Sequence, residues 1–206
     1  MISNKIVNGI SNKEKYNPGF LNNRLRFSKR NFWKGSIYIE GNYIVKDYSK
    51  NSFLSKIYGI LCIYLETSAL KKLEGIEGIP TLHSKPSALK FKMEKIPGIP
   101  LAELNQGDIS EKCFKRLVLL FDRIHSRGVV HLDAHMRNIL VENEQPYLVD
   151  FSTAYVKGRI PFLEPGLFNM LRLLDKERLY KIEKFFFNRG TPPDMFYIYK
   201  KIKERK

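Results

Sequence analysis

The sequence predicts an α+β fold in which a small antiparallel sheet comes first and a larger helical part follows. Three observations lead there. Short segments rich in β-branched and aromatic residues gather in the first half, at 36–40, 43–47 and 89–93. From residue 108 onward, helical spacing of apolar residues dominates, interrupted by one short hairpin. A chain of 206 residues with 43% hydrophobic content can bury a single core, as one compact domain of two lobes.

Residues 1–30 are polar, with a turn at Asn17-Pro18-Gly19, and are expected to be weakly structured. Segments 36–40 and 43–47 flank Gly41-Asn42, a two-residue connection of the kind that closes a β-hairpin. Over 52–73 the residues Leu54, Ile57, Ile60, Leu61, Leu65, Ala69 and Leu73 recur at helical spacing, and Gly59 predicts a weakened or broken helix. A strand at 89–93 ends in the turn Ile96-Pro97-Gly98. Asp108 or Ser110 then caps a helix running to about His125, with Phe114, Leu117, Val118, Phe121 and Ile124 on one face. Segments 139–141 and 147–149 read as strands joined by a polar turn containing Pro146. A last helix covers 167–187, before Pro192-Pro193 and a basic tail.

Thirty-six Lys and Arg against 21 Asp and Glu leave a net charge of +15. That field favours polyanions: nucleic acid, anionic lipid headgroups, phosphorylated glycans or nucleotides. The aromatic residues Phe185, Phe186, Phe187, Tyr197 and Tyr199 lie at helix-face spacing and form no stacking platform, so nucleic acid is not expected as the main partner. Two cysteines, Cys62 and Cys113, make no disulfide framework and read as reduced thiols. Residues 1–10 lack the apolar run of a signal peptide, and the longest apolar stretch, 57–65, is too short to span a bilayer. The expectation is a soluble cytoplasmic protein whose basic surface suits peripheral contact with the inner face of an anionic membrane.

The chemistry concentrates in His131-Leu132-Asp133-Ala134-His135-Met136-Arg137-Asn138, followed after the hairpin by Asp150-Phe151-Ser152. Asn138 stands just before one strand and Asp150 just after its partner, so an antiparallel pairing sets them at the same end. A carboxylate and an amide oxygen side by side are hard ligands suited to Mg²⁺ shared with phosphates. Asp133, on the loop five positions before Asn138, can address the same point and accept or orient a hydroxyl proton.

These residues resemble the catalytic loop and metal-binding motif of the protein-kinase-like superfamily. The resemblance implies Asp133 as catalytic base, Asn138 and Asp150 as metal ligands, and His131 as a brace for the loop. It extends upstream. Tyr43-Ile44-Val45-Lys46 is similar to the strand whose lysine grips the nucleotide α- and β-phosphates, with Glu66 as that lysine's ion-pair partner. Residues 89–96 resemble the strand leading to the hinge, with Met93 behind the adenine and the backbone of Glu94 and Ile96 at its edge. The implied organisation is one minimal bilobal kinase-like domain over 1–206: N-lobe 31–93, hinge 94–98 and truncated helical C-lobe 99–206.

The pattern departs from the family in several places. No G-x-G-x-x-G loop precedes Lys46; the strand opens with Phe32-Trp33-Lys34-Gly35-Ser36, where Gly35 lets backbone amides approach phosphate and Lys34 adds charge. Leu132 replaces the arginine that pairs with phosphorylated activation loops, and Ser152 replaces the motif's glycine. Leu163-Glu164-Pro165 is a poor echo of the A-P-E segment. These losses resemble the atypical branches: RIO-like kinases, small tRNA-modification-associated kinases and bacterial lipopolysaccharide-core kinases.

The implied function is an ATP- and Mg²⁺-dependent phosphotransferase acting on a hydroxyl, of protein Ser or Thr or of a lipopolysaccharide-core sugar. His135 keeps a small acceptor of the aminoglycoside or choline kind open. A nucleotide-binding pseudokinase scaffold is the main alternative. A zinc site of His131, Asp133 and His135 would require an extended strand that sets all three on one side.

Overall fold

The computed structural model describes residues 35–158 and 164–190. The expectations for residues 1–30, Lys34, Leu163, Pro192-Pro193, Tyr197, Tyr199 and the basic tail lie outside them.

Strands β1 (Ser36–Glu40) and β2 (Tyr43–Asp47) pair antiparallel across Gly41-Asn42, with Gly41 at φ 60°. A positive φ at that position matches the right-handed twist of the strands, and glycine adopts it without strain. Strands β3 (Leu82–Ser87) and β4 (Lys90–Glu94) complete a four-stranded sheet of order β1-β2-β4-β3. The sequence reading missed β3. It is an edge strand with Pro86, largely exposed, and its pairing to β4 shifts register twice, so it carries no alternating pattern.

Helix α1 (Phe53–Lys72) crosses the sheet as one element of 20 residues. This corrects the expected break at Gly59. That glycine is buried because the Tyr48 ring lies on it: a Cβ there would stand 2.4 Å from ring carbons. Gly59→Ala is therefore expected to destabilise the protein by about 1–3 kcal/mol, through overpacking rather than loss of helicity. Urea unfolding checks this, with Ala at exposed Ile60 as the control.

The buried face of α1 also differs from the expected one. Ser55, Gly59, Cys62, Ile63, Glu66, Thr67, Ala69 and Leu70 face inward. Leu54, Ile57, Ile60 and Leu61 point out, with Phe53, Tyr58 and Tyr64 beside them, each at least 43% exposed. The helix is apolar on nearly every side, so periodicity alone does not choose a face. By length and apolarity α1 also meets the requirement for crossing a bilayer, although its inward face is bound into the sheet and carries a buried carboxylate.

Beyond residues 95–98, β5 (Ile99–Pro100) and a 3-10 turn (Leu101–Glu103) lead to helix α2 (Glu111–Ser126). The Ser110 hydroxyl accepts the Cys113 N–H and caps α2, while the Asp108 carboxylate accepts the Asn105 N–H instead. Phe114, Leu117, Phe121 and Ile124 are buried as expected, with Val118 half-buried. After β6 (Val129–Val130), hairpin β7 (Ile139–Glu142) and β8 (Gln145–Leu148) turns at Asn143-Glu144, at φ 48° and 65°. Pro146 thus belongs to β8, opposite Val141; β8 is an edge strand, where a missing N–H is tolerated. Strand β9 (Tyr155–Val156) pairs with β6, and helix α3 (Glu164–Phe187) closes the chain's described part. One apolar cluster runs from Ile63, Leu70 and Phe91 through Phe121 and Ile124 to Ile182 and Phe186, joining sheet and helices.

Candidate active site

Lys46 lies near the end of β2 with its side chain buried. Its Nζ donates to both carboxylate oxygens of Glu66 on α1, each at 2.8 Å, and to Oδ1 of Asp150 at 2.9 Å. One ammonium thus joins the sheet, the helix and the segment after β8. Glu66 is 1% exposed and also accepts the Phe151 N–H. The Asp150 side chain is 40% exposed and takes a further hydrogen bond from the Ser152 hydroxyl, so the residue that replaces glycine helps hold the carboxylate.

Two carboxylates share one ammonium, and burial decides how. Burial alone would strip the proton from Lys46, but Glu66 and Asp150 outweigh it and hold the ammonium above its ordinary range. Burial pushes Glu66 up to about 7 against the pull of Lys46. On Asp150 burial acts upward too, yet Lys46 and Ser152 hold it well below the ordinary carboxylate range. Asp150 is the ionised, more accessible member, at φ 64°, a left-handed conformation that aspartate tolerates better than most residues.

The loop between β6 and β7 holds the other half. His131 is fully buried; its Nε2–H donates to the Val149 carbonyl at 3.1 Å, and its ring lies 4.6 Å from that of Phe151. Burial lowers its pKa, so the neutral ring braces the two segments. Leu132 sits at φ 66°. That strained turn is held by Asp175 of α3, whose fully buried carboxylate accepts the N–H of His131 at 2.9 Å and of Leu132 at 3.0 Å. His125 of α2 reaches the same carboxylate at 2.9 Å. Asp175 escaped the sequence reading. Its one signal is phase: it lies seven residues from both Phe168 and Ile182, on the buried face of α3.

Beyond the turn, the Asn138 amide nitrogen donates to the Asp133 carbonyl at 2.9 Å and to its Oδ2 at 3.3 Å. No described residue bonds Asn138 Oδ1. The Val149 N–H donates to the Asn138 carbonyl, so Asn138 and Asp150 flank the same end of the hairpin. The Asp133 side chain is 43% exposed. The turned loop also removes the basis of a zinc site, since His131 points inward to Val149 while Asp133 and His135 stay accessible. Among the described residues no group of three His, Cys, Asp or Glu is placed to hold a metal ion.

Of the residues expected at the adenine, Met93 is buried between Ile44 and Leu82, and Glu94 is exposed with its N–H donated to the Thr81 carbonyl. Ile96 is half-buried, and its backbone makes no hydrogen bond to described residues. Gly35 is buried against Tyr48. Lys34 lies outside the described residues.

No family model matches the chain. It is 38% identical over 79 residues to a "probable bifunctional tRNA threonylcarbamoyladenosine biosynthesis protein" of Methanosarcina acetivorans, which covers 38% of this chain and 14% of that protein. Over 129 residues it is 29% identical to serine/threonine-protein kinase PKH2 of Saccharomyces cerevisiae, covering 58% of this chain and 12% of the kinase. The chain therefore spans only about a seventh or less of these curated relatives. Rio2 kinase of Chaetomium thermophilum, solved with ADP, Mg²⁺ and phosphoaspartate, superposes with a TM-score of 0.59 at 14% identity, over 76% of this chain and 53% of that one. The chain has a protein-kinase-like fold of the atypical, RIO-like kind.

Proposed function

We propose that this chain is an ATP- and magnesium-dependent phosphotransferase that moves the γ-phosphate to a hydroxyl acceptor. The observation that carries the reading is the sharing of the Lys46 ammonium between buried Glu66 and accessible Asp150. A lysine fixed by one carboxylate is preorganised to hold phosphate oxygens, and the second carboxylate can exchange it for another cation. The donor set fits the metal: an ionised carboxylate and an unbonded amide oxygen flank one hairpin end.

On this reading Asn138 and Asp150 hold Mg²⁺, which when bound neutralises charge on the phosphates. Lys46, held by Glu66, grips the α- and β-phosphates. The backbone of Ile96, which no described residue bonds, would meet the adenine with Glu94 beside it and Met93 behind, and Gly35 would lie toward the phosphates. Asp133 accepts the proton of the attacking hydroxyl while its oxygen bonds the γ-phosphorus and the bond to the β,γ-bridging oxygen breaks, releasing ADP. Asn138, bonded to Asp133, keeps that carboxylate oriented. The likeness to Rio2 kinase and to PKH2 supports the same reading, as do the accessibility of Asp133 and the ionised state of Asp150.

Transfer of labelled γ-phosphate to a panel of acceptors, comparing wild type with Asp133→Asn, tests it. Loss of about a hundredfold or more in turnover with ATP affinity retained is expected. Equal rates would remove Asp133 as base. Nucleotide binding without transfer to any acceptor, water or the protein itself would make the chain a nucleotide-binding scaffold.

A further inference from the structure

We infer that the acceptor is a small hydroxyl compound bearing an anionic group, of the phosphosugar class, held in a cationic cavity beside Asp133. This rests on the phosphotransferase reading and names its second substrate. A cavity of about 350 Å³ opens between the catalytic loop and α3. Ala134, Met136 and Ile182 supply apolar lining; His135, Arg137, Arg178 and Lys181 supply the polar groups. It reaches the proposed base through His135, which lines it and places Nε2 3.6 Å from Asp133 Oδ2. The Nδ1 of the same ring is buried without a hydrogen bond.

The charge of the lining decides the class of acceptor. Lys181 pairs with Glu177 at 2.7 Å. Among the described residues Arg137 and half-buried Arg178 have no carboxylate at ion-pair distance, so the described wall presents two guanidinium groups without an acidic partner. Guanidinium forks match phosphate and carboxylate oxygens bidentately, and a concave wall of one sign concentrates the opposite charge. Cationic acceptors, such as choline or an aminoglycoside, meet repulsion here. The volume is at the small end for ligand cavities and suits a single sugar-sized group on the apolar lining.

Calorimetric titration tests this on the full chain saturated with Mg²⁺ and a non-hydrolysable ATP analogue, so that phosphate probes do not enter the nucleotide position. The probes are glucose 6-phosphate, a deacylated phosphorylated core oligosaccharide, glucose and choline. Saturable binding is expected for at least one phosphorylated probe and for neither glucose nor choline. Roughly ten- to a hundredfold weakening is expected in Arg178→Gln and in Arg137→Gln, with melting temperatures confirming that the variants fold. Which phosphorylated probe binds distinguishes a free phosphosugar from a glycolipid core. Binding of neither, equal binding of glucose, or unchanged affinity in both variants overturns the inference. Failure of the underlying reading is seen separately: a chain that binds no ATP analogue, or transfers phosphate equally well as Asp133→Asn, is not this phosphotransferase.

Discussion

Replacing Asp175 by alanine is expected to destabilise the protein by about 3–5 kcal/mol and to abolish activity in whatever fraction remains folded. The carboxylate is fully buried, yet it accepts the N–H groups of His131 and Leu132 and contacts the His125 ring. Removing it strands one buried and one part-buried backbone donor, at a cost of about 1–3 kcal/mol for the buried one, and removes the support of a strained turn at Leu132. Asp133 follows that turn directly, so the loop is expected to relax and move the proposed base. Asp175→Asn separates the effects: its amide oxygen can still accept one N–H, so part of the stability should return while turnover stays low. Urea unfolding with single-turnover transfer measures both. A variant as stable as wild type would show that the loop does not depend on α3.

Lys46→Met is expected to carry to higher pH a loss of stability that Glu66, at about 7, already gives the wild type between pH 4.5 and 7. Glu66 is raised by burial to about 7 with Lys46 present, and losing the lysine removes its main opposing influence. An acid whose folded pKa exceeds its unfolded value keeps in the folded state a proton that the unfolded chain has released. Stability is therefore greatest below the unfolded pKa, near 4.5, and falls as pH rises toward the folded one. At pH 5.5 the variant can carry Glu66 protonated and loses little. At pH 8 it must either bury an unpaired carboxylate or hold a proton against the solvent, and a cost of about 3–5 kcal/mol is expected. The decline between them follows about 1.4 kcal/mol per pH unit. Lys46→Met with Glu66→Gln removes the titrating group and should be flat over the same range. A decline that persists in the double variant would assign the pH dependence elsewhere.

Much of this arrangement was legible from residue order because the hairpins and the loop motif are local. Gly41-Asn42 sets the first hairpin by backbone conformation alone, and Asn138 and Asp150 share a hairpin end once β7 and β8 pair antiparallel. Other features depend on contacts distant in sequence. Gly59 reads as a helix breaker because nothing in the helix reveals that Tyr48 will lie on it. The orientation of α1 is set by one polar residue: Glu66 must reach Lys46, which turns Leu54, Ile57, Ile60 and Leu61 outward although they are the more apolar stripe. Desolvating a carboxylate without its partner costs more than exposing a leucine, so the ion pair wins. Asp175 was invisible for a related reason. An acidic residue in a long helix reads as surface charge until the helix phase is compared with its buried neighbours.

The measurement that bears most directly on the central claim is the Mg²⁺ dependence of ATP binding, by calorimetry, in wild type and Asp150→Asn. If Asp150 leaves Lys46 to share a cation with Asn138, Mg²⁺ should tighten ATP binding by about tenfold or more in wild type, and this gain should disappear in the variant. ATP binding that is indifferent to Mg²⁺, or a gain equal in both proteins, would contradict a nucleotide-borne metal at the end of the β7–β8 hairpin.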